Sequence, residues 1–178
     1  MRVVIDSIQG EFRRYKHLGE AAIRQLSDGE VSHNSDPGNN SVATIVSHLA
    51  GNMQSRFTSF LTTDGEKPWR QRDEEFRPKH SSRAEVLAKW NAGWEILLGA
   101  LATLSDADLG RTVHIRGQAL TVAQALHRSL AHTSYHVGQI VYLAKALRGA
   151  TWQYLSIPPG QSEAYNQQPT RERPPPPS

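Results

Sequence analysis

Apolar residues recur every three or four positions in four long stretches, and this periodicity narrows the fold more than any other feature of the chain. The first stretch runs from about Asp6 to Leu26 and places Ile8, Phe12, Tyr15, Leu18, Ala22 and Leu26 on one side, before "SDGEVSHNSDPGNN" ends it. The second begins at Ser41, a natural N-cap, and carries Val42, Ile45, Val46, Leu49, Met53, Phe57 and Phe60 up to "TTDGEKPW". A third starts near Ser82, with Glu85 in position for a capping box, and turns Val86, Trp90, Trp94, Leu97, Leu98 and Leu101 inward. The fourth follows Thr121, spans Val122 to Leu147 and stops at Gly149. Four amphipathic helices of about 20 to 27 residues predict an all-α four-helix bundle with long crossover loops.

Two connections stand out. In "GRTVHIRGQALT", Val113, Ile115 and Leu120 fit a short hairpin turning at Arg116-Gly117. "GEKPWRQRDEEFRPKH" is long for a bundle connection, which leaves two readings open: a functional loop, or a solvated crossover packed by Trp69 and Phe76. The chain has 178 residues, enough for one domain with a full core and too few for two. We read residues 1–165 as that domain and residues 166–178 as a tail whose proline run takes an exposed polyproline-type conformation. Trp90 and Trp94, four apart on the third helix, fit the core or a dimer contact better than a cofactor-stacking role.

Composition limits the chemistry. The chain has no cysteine, so a bound metal must be held by His, Asp, Glu or oxygen donors, and a disulfide framework is excluded. The 20 basic and 17 acidic residues are dispersed without a basic run, which argues against nucleic acid as a partner. No apolar run reaches the length of a membrane span, and the N-terminal segment lacks the pattern of a signal peptide, so the expectation is a cytoplasmic protein without a membrane partner.

Within the fourth helix, "HTSYHVGQI" places His132 and His136 at i and i+4, about 40° apart around the axis and about 6 Å along it, so both imidazoles can reach one point. Thr133 stands where a zincin protease has glutamate, so H-E-x-x-H chemistry is not supported. His48, between Ile45 and Leu49, lies on or beside the apolar stripe of the second helix and needs partners for its ring nitrogens there. These three histidines can close one site between facing helices; spacing alone equally permits three separate hydrogen-bonded imidazoles. No Asp or Glu is visibly placed beside them. His127 lies about 140° from His132 around the helix, and His80 and His114 fall in loops.

"SVATIVSHLAGNMQSRFTSFLTTDGEKPWRQRDEEF" followed by "HTSYHVGQIVYLAK" resembles the DinB-like superfamily of small four-helix proteins, in particular a branch labelled as a domain of unknown function, across about residues 6 to 165. In that superfamily one metal-binding histidine comes from the second helix and two from an H-x-x-x-H on the fourth. The resemblance therefore implies His48, His132 and His136 as metal ligands. Three neutral imidazoles leave a divalent ion an open position and its full charge, with zinc or nickel the leading candidates. The superfamily includes transferases that use low-molecular-weight thiols, so the resemblance implies a metal-dependent transferase acting on an electrophilic small-molecule substrate. The alternatives are a non-catalytic metal-binding or stress-related module, and a metal-assisted hydrolase, which needs a general base. Asn52, Tyr135 and Gln139 are candidate substrate-binding groups near the ligands, with interhelical or surface hydrogen bonding as the other reading for Asn52 and Gln139. Relatives are often homodimers, and the resemblance implies the same here.

Overall fold

A computed structural model describes residues 1–34, 36, 38–77, 80–170 and 172. Its helices are α1 (Val3–Arg24), the single turn α2 (Asp28–Val31), α3 (Val42–Phe57), α4 (Arg83–Ala102), α5 (Val122–Arg148) and the short α6 (Ser162–Gln167). A 3-10 turn occupies Arg72–Phe76. The four long helices contact one another in a closed ring: α1 packs on α5 and α4, and α3 packs on α4 and α5. Among the described residues no helix is long and apolar enough to cross a membrane. The proline run lies outside the described residues.

The helix starts follow from local chemistry. Ser41 Oγ accepts from the Thr44 backbone N–H at 3.1 Å. Ser82 with Glu85, and Thr121 with Gln124, form reciprocal capping boxes that satisfy otherwise unpaired backbone donors, each cap being worth about 1 kcal/mol. α1 lacks a side-chain cap of its own, and Asp106 supplies one from the far end of α4 by accepting from Val4 and Ile5 N–H at 3.1 and 3.0 Å.

The apolar stripes meet in one core. Ile5, Phe12, Ile23, Leu49, Met53, Trp90, Trp94, Leu97, Leu126, Val137 and Ile140 are all buried, and burying an aliphatic side chain of this kind contributes about 1.5–3 kcal/mol. Phe12 meets Trp94 edge-on with ring centroids 6.2 Å apart, and Trp90 lies 5.4 Å from Trp94, so both tryptophans belong to the core.

Three expectations need correction. The chain is mostly helical but not all-α. Thr112–Ile115 (β1) pairs antiparallel with Gln118–Thr121 (β2), with Val113 opposite Leu120, around a turn in which Arg116 and Gly117 have φ of 54° and 73°. Two consecutive positive φ values match the right-handed twist of a two-residue hairpin, and glycine takes the second at no steric cost. Second, α3 ends at Phe57. Ser59 turns into the left-handed region at φ 51°, and Phe60 folds back onto Phe57 with a centroid distance of 5.2 Å. Its apolar position belongs to the core without belonging to the helix. Third, Trp69 is 54% exposed and does not pack the long loop, whereas Phe76 turns inward against His48.

Candidate metal centre

α3 and α5 bring His48, His132 and His136 together. One ring nitrogen from each lies within 4.8 Å of the other two. The ring centroids are 5.2 Å apart for His48 and His132, 4.9 Å for His48 and His136, and 4.7 Å for His132 and His136. His48 Nε2 stands 3.2 Å from His132 Nε2. Two nitrogens bound to one tetrahedral zinc at ordinary bond lengths are separated by about 3.3 Å, so this pair already has the spacing of two ligands on one ion. The donor set therefore fits a divalent metal.

Two of the three rings are oriented by outer partners. His48 Nδ1 is 2.9 Å from Glu75 Oε2 and donates to it, which leaves the Nε2 lone pair facing His132. His136 Nδ1 is held in the same way, 2.8 Å from the Gln139 side-chain oxygen. Such contacts fix the tautomer and ring angle of a metal-ligating histidine. His132 differs: its Nδ1 is buried and has no partner among the described residues.

Burial and charge favour the neutral form of His132 and His136. Desolvation first, then the positive charge that His136, His48, Arg70 and Arg128 would add, pushes His132 down to about 3. Desolvation lowers His136 to about 4 against the opposing hydrogen bond that it donates to Gln139. A neutral imidazole is the form that ligates metal.

Glu75 is the group that sequence reasoning missed. It sits in the 3-10 turn Arg72–Phe76 and is gripped on both oxygens by Arg70, with Nε to Oε1 at 2.8 Å and Nη2 to Oε2 at 2.9 Å. The Arg70 side chain is only 2% exposed. Burial alone would raise the Glu75 carboxyl, but hydrogen bonds from His48 and Arg70 and the Arg70 charge together hold it below the usual carboxylate range. The result is a chain from Arg70 through Glu75 that fixes the His48 ring from the side of the long loop. Phe76 covers the His48 ring at 4.7 Å. The long loop thus packs onto the histidine cluster through Glu75 and Phe76, with Arg70 behind Glu75.

Gly51 makes this contact possible. A Cβ built there would fall 2.2 Å from Glu75 Oε1 and 2.8 Å from its carboxyl carbon. A glycine one turn after His48, inside an otherwise apolar helix face, is the signal that marks a close approach from outside the helix.

The histidines form part of the wall of a cavity of about 610 Å³. Asn52 and Tyr135, both expected near a substrate, line it. Tyr135 lies 4.2 Å from the His136 ring and is 54% exposed. Gln139 is not among the lining residues and is engaged with His136 instead. Ser129, also on the wall, has a buried hydroxyl without a partner among the described residues.

No curated protein matches the chain. Residues 2–161 match the family model described as "Protein of unknown function (DUF1572)". The match covers all four long helices and all three histidines, and the chain belongs to the DUF1572 family.

Proposed function

We propose that this protein is a DinB-like four-helix bundle that binds one divalent ion, zinc or nickel, through His48, His132 and His136, and uses it on a small molecule entering the adjoining cavity. The observation that carries this reading is the convergence of three imidazole nitrogens, with two of the rings oriented from behind by Glu75 and Gln139. An ion held by three imidazoles would keep an open position and supply Lewis acidity toward an anionic donor atom.

Of the reactions open to such a site, we favour transfer of a low-molecular-weight thiol to an electrophile over hydrolysis. Hydrolysis requires a general base within reach of the attacking water. Among the described residues no Asp or Glu lines the cavity, and Glu75 has both oxygens committed to Arg70 and His48. A thiol held at the open position of the ion would release its proton to solvent without a carboxylate base, its sulfur would form the new C–S bond as the electrophile's leaving group departs, and a chain without cysteine has to take that sulfur nucleophile from a co-substrate.

The test is elemental analysis of untagged protein, wild type beside His48→Ala. We expect about one divalent ion per chain in the wild type and a small fraction of that in the variant, with the helical circular dichroism of both alike. Equal metal content in the two proteins overturns the shared site. The metal-loaded protein incubated with low-molecular-weight thiols and a chromogenic aryl halide then tests the transferase reading, which fails if no thiol is consumed above the rate with the His48→Ala variant.

A further inference from the structure

Five arginines reach the wall of the histidine cavity from separate parts of the chain: Arg56 on α3, Arg70 and Arg72 from the long loop, Arg116 from the hairpin turn and Arg128 on α5. Among the described residues no carboxylate lines the same wall. Three of the five are satisfied from behind. Glu66 Oε2 accepts from Arg56 Nη1 at 3.2 Å and from Arg116 Nε at 2.9 Å, and Glu75 accepts from Arg70.

Among the described residues, the other two have no hydrogen-bonded carboxylate behind them. Arg72 lies over the Phe76 ring, 4.9 Å from its centroid, and meets a carboxylate only at 3.8 Å, in the 98% exposed Asp73. Arg128 has no hydrogen bond or ion pair to any described residue. It sits four residues before His132, which stands four before His136, so the guanidinium and both imidazoles share one stripe of α5. A guanidinium fork presents paired donors that match a carboxylate or phosphate, and a concave wall of one sign concentrates ligands of the other.

We propose that the cavity is a binding site for a small organic oxyanion, whose carboxylate or phosphate group is held by Arg128 and Arg72 while another part of the molecule faces the three histidines. This names the substrate class of the site described above and rests on that reading for the role of the histidines, but not for the arginine contacts. Neutral molecules of similar shape leave the two guanidinium groups unpaired and bind poorly.

The experiment is isothermal titration calorimetry of zinc-loaded full-length protein with succinate, inorganic phosphate and the neutral succinamide. It is repeated on Arg128→Gln and on the Arg72→Gln/Arg128→Gln pair, and on wild type stripped with a chelator. Arg128 and Arg72 are both exposed, so the substitutions leave the core untouched. We expect succinate or phosphate to bind, the stronger of the two identifying the oxyanion, and succinamide to give no heat. The single variant weakens binding by about tenfold and the double variant by more, as loss of charge-assisted pairs requires, with zinc content unchanged. Binding of succinamide equal to that of succinate, affinities unaltered in the double variant, or no binding of either anion overturns the proposal. If the protein holds no zinc yet binds an oxyanion in an Arg128-dependent way, the oxyanion site stands and the metal reading falls. If zinc is held at full occupancy and neither anion binds, the metal reading stands and the oxyanion site falls.

Discussion

At the scale of single residues, the site divides into what the sequence exposes and what it hides. His132 and His136 are legible because helical spacing is local, and His48 because an imidazole beside an apolar stripe needs a reason to be there. Glu75 is hidden because it arrives from a loop that has no periodicity, between Glu74 and Phe76 and close to Asp73, and nothing in that run distinguishes the carboxylate that turns inward from those that stay in water. Only Gly51 records its position. Replacing Gly51 with Ala places a methyl group well inside van der Waals contact of the Glu75 carboxylate, so we expect that carboxylate to shift away from His48 Nδ1 although none of the three histidines has changed. Losing an outer partner of this kind weakens metal binding by about 10- to 100-fold. Competition for zinc against a chromophoric chelator measures the effect; an unchanged affinity in Gly51→Ala means that Glu75 does not orient His48.

At the scale of elements, the helix caps were readable from three- and four-residue patterns, whereas the clip between the long loop and the hairpin was not, because it joins segments about fifty residues apart. Asp64 makes that clip. Its Oδ1 accepts from Glu66 N–H at 2.7 Å and Arg116 N–H at 2.8 Å, and its Oδ2 accepts from Gly117 N–H at 2.7 Å. Gly65 N–H donates to the His114 carbonyl at 2.7 Å, which lays loop and hairpin side by side and brings Arg116 to the cavity mouth. We expect Asp64→Ala to cost about 2 kcal/mol, read as a Tm lower by roughly 4–8 °C, while Asp64→Asn, which keeps one carbonyl oxygen for Glu66 and Arg116, falls between the two. The backbone donors from Glu66, Gly117 and Arg116 hold the Asp64 carboxyl down at about 2, below its ordinary 3.8. A carboxylate with a depressed folded pKa contributes stability that is fully present above the unfolded value and lost as pH falls through the folded one. The difference between wild type and Asp64→Ala in chemical denaturation is therefore complete at pH 5 and shrinks below about pH 4; a difference that stays constant down to pH 2.5 argues against an ionised clip.

At the scale of the whole molecule, periodicity predicted four helices but could not show which loops would close over one end of the ring they form. The basic residues are dispersed along the sequence without a run, yet folding gathers five arginines around one cavity. The same architecture determines what removal of the proposed metal would do. The core formed by Phe12, Trp90, Trp94, Leu97 and Leu126 is continuous and buried without any contribution from the histidines, so the fold does not depend on an ion for its nucleus. A ligand that binds only the folded state adds stability by mass action, roughly 2.7 kcal/mol when free ion stands at 100 times its dissociation constant. For a chain of this size that corresponds to a Tm shift of roughly 5–10 °C. Chelation should therefore leave the ellipticity at 222 nm unchanged at 25 °C, lower Tm by about that amount, and be reversed by adding zinc. A closed structural site behaves differently, because its binding energy is folding energy and a chelator unfolds the chain. Loss of helicity on chelation at 25 °C would move these histidines from the chemistry of the cavity to the support of the fold.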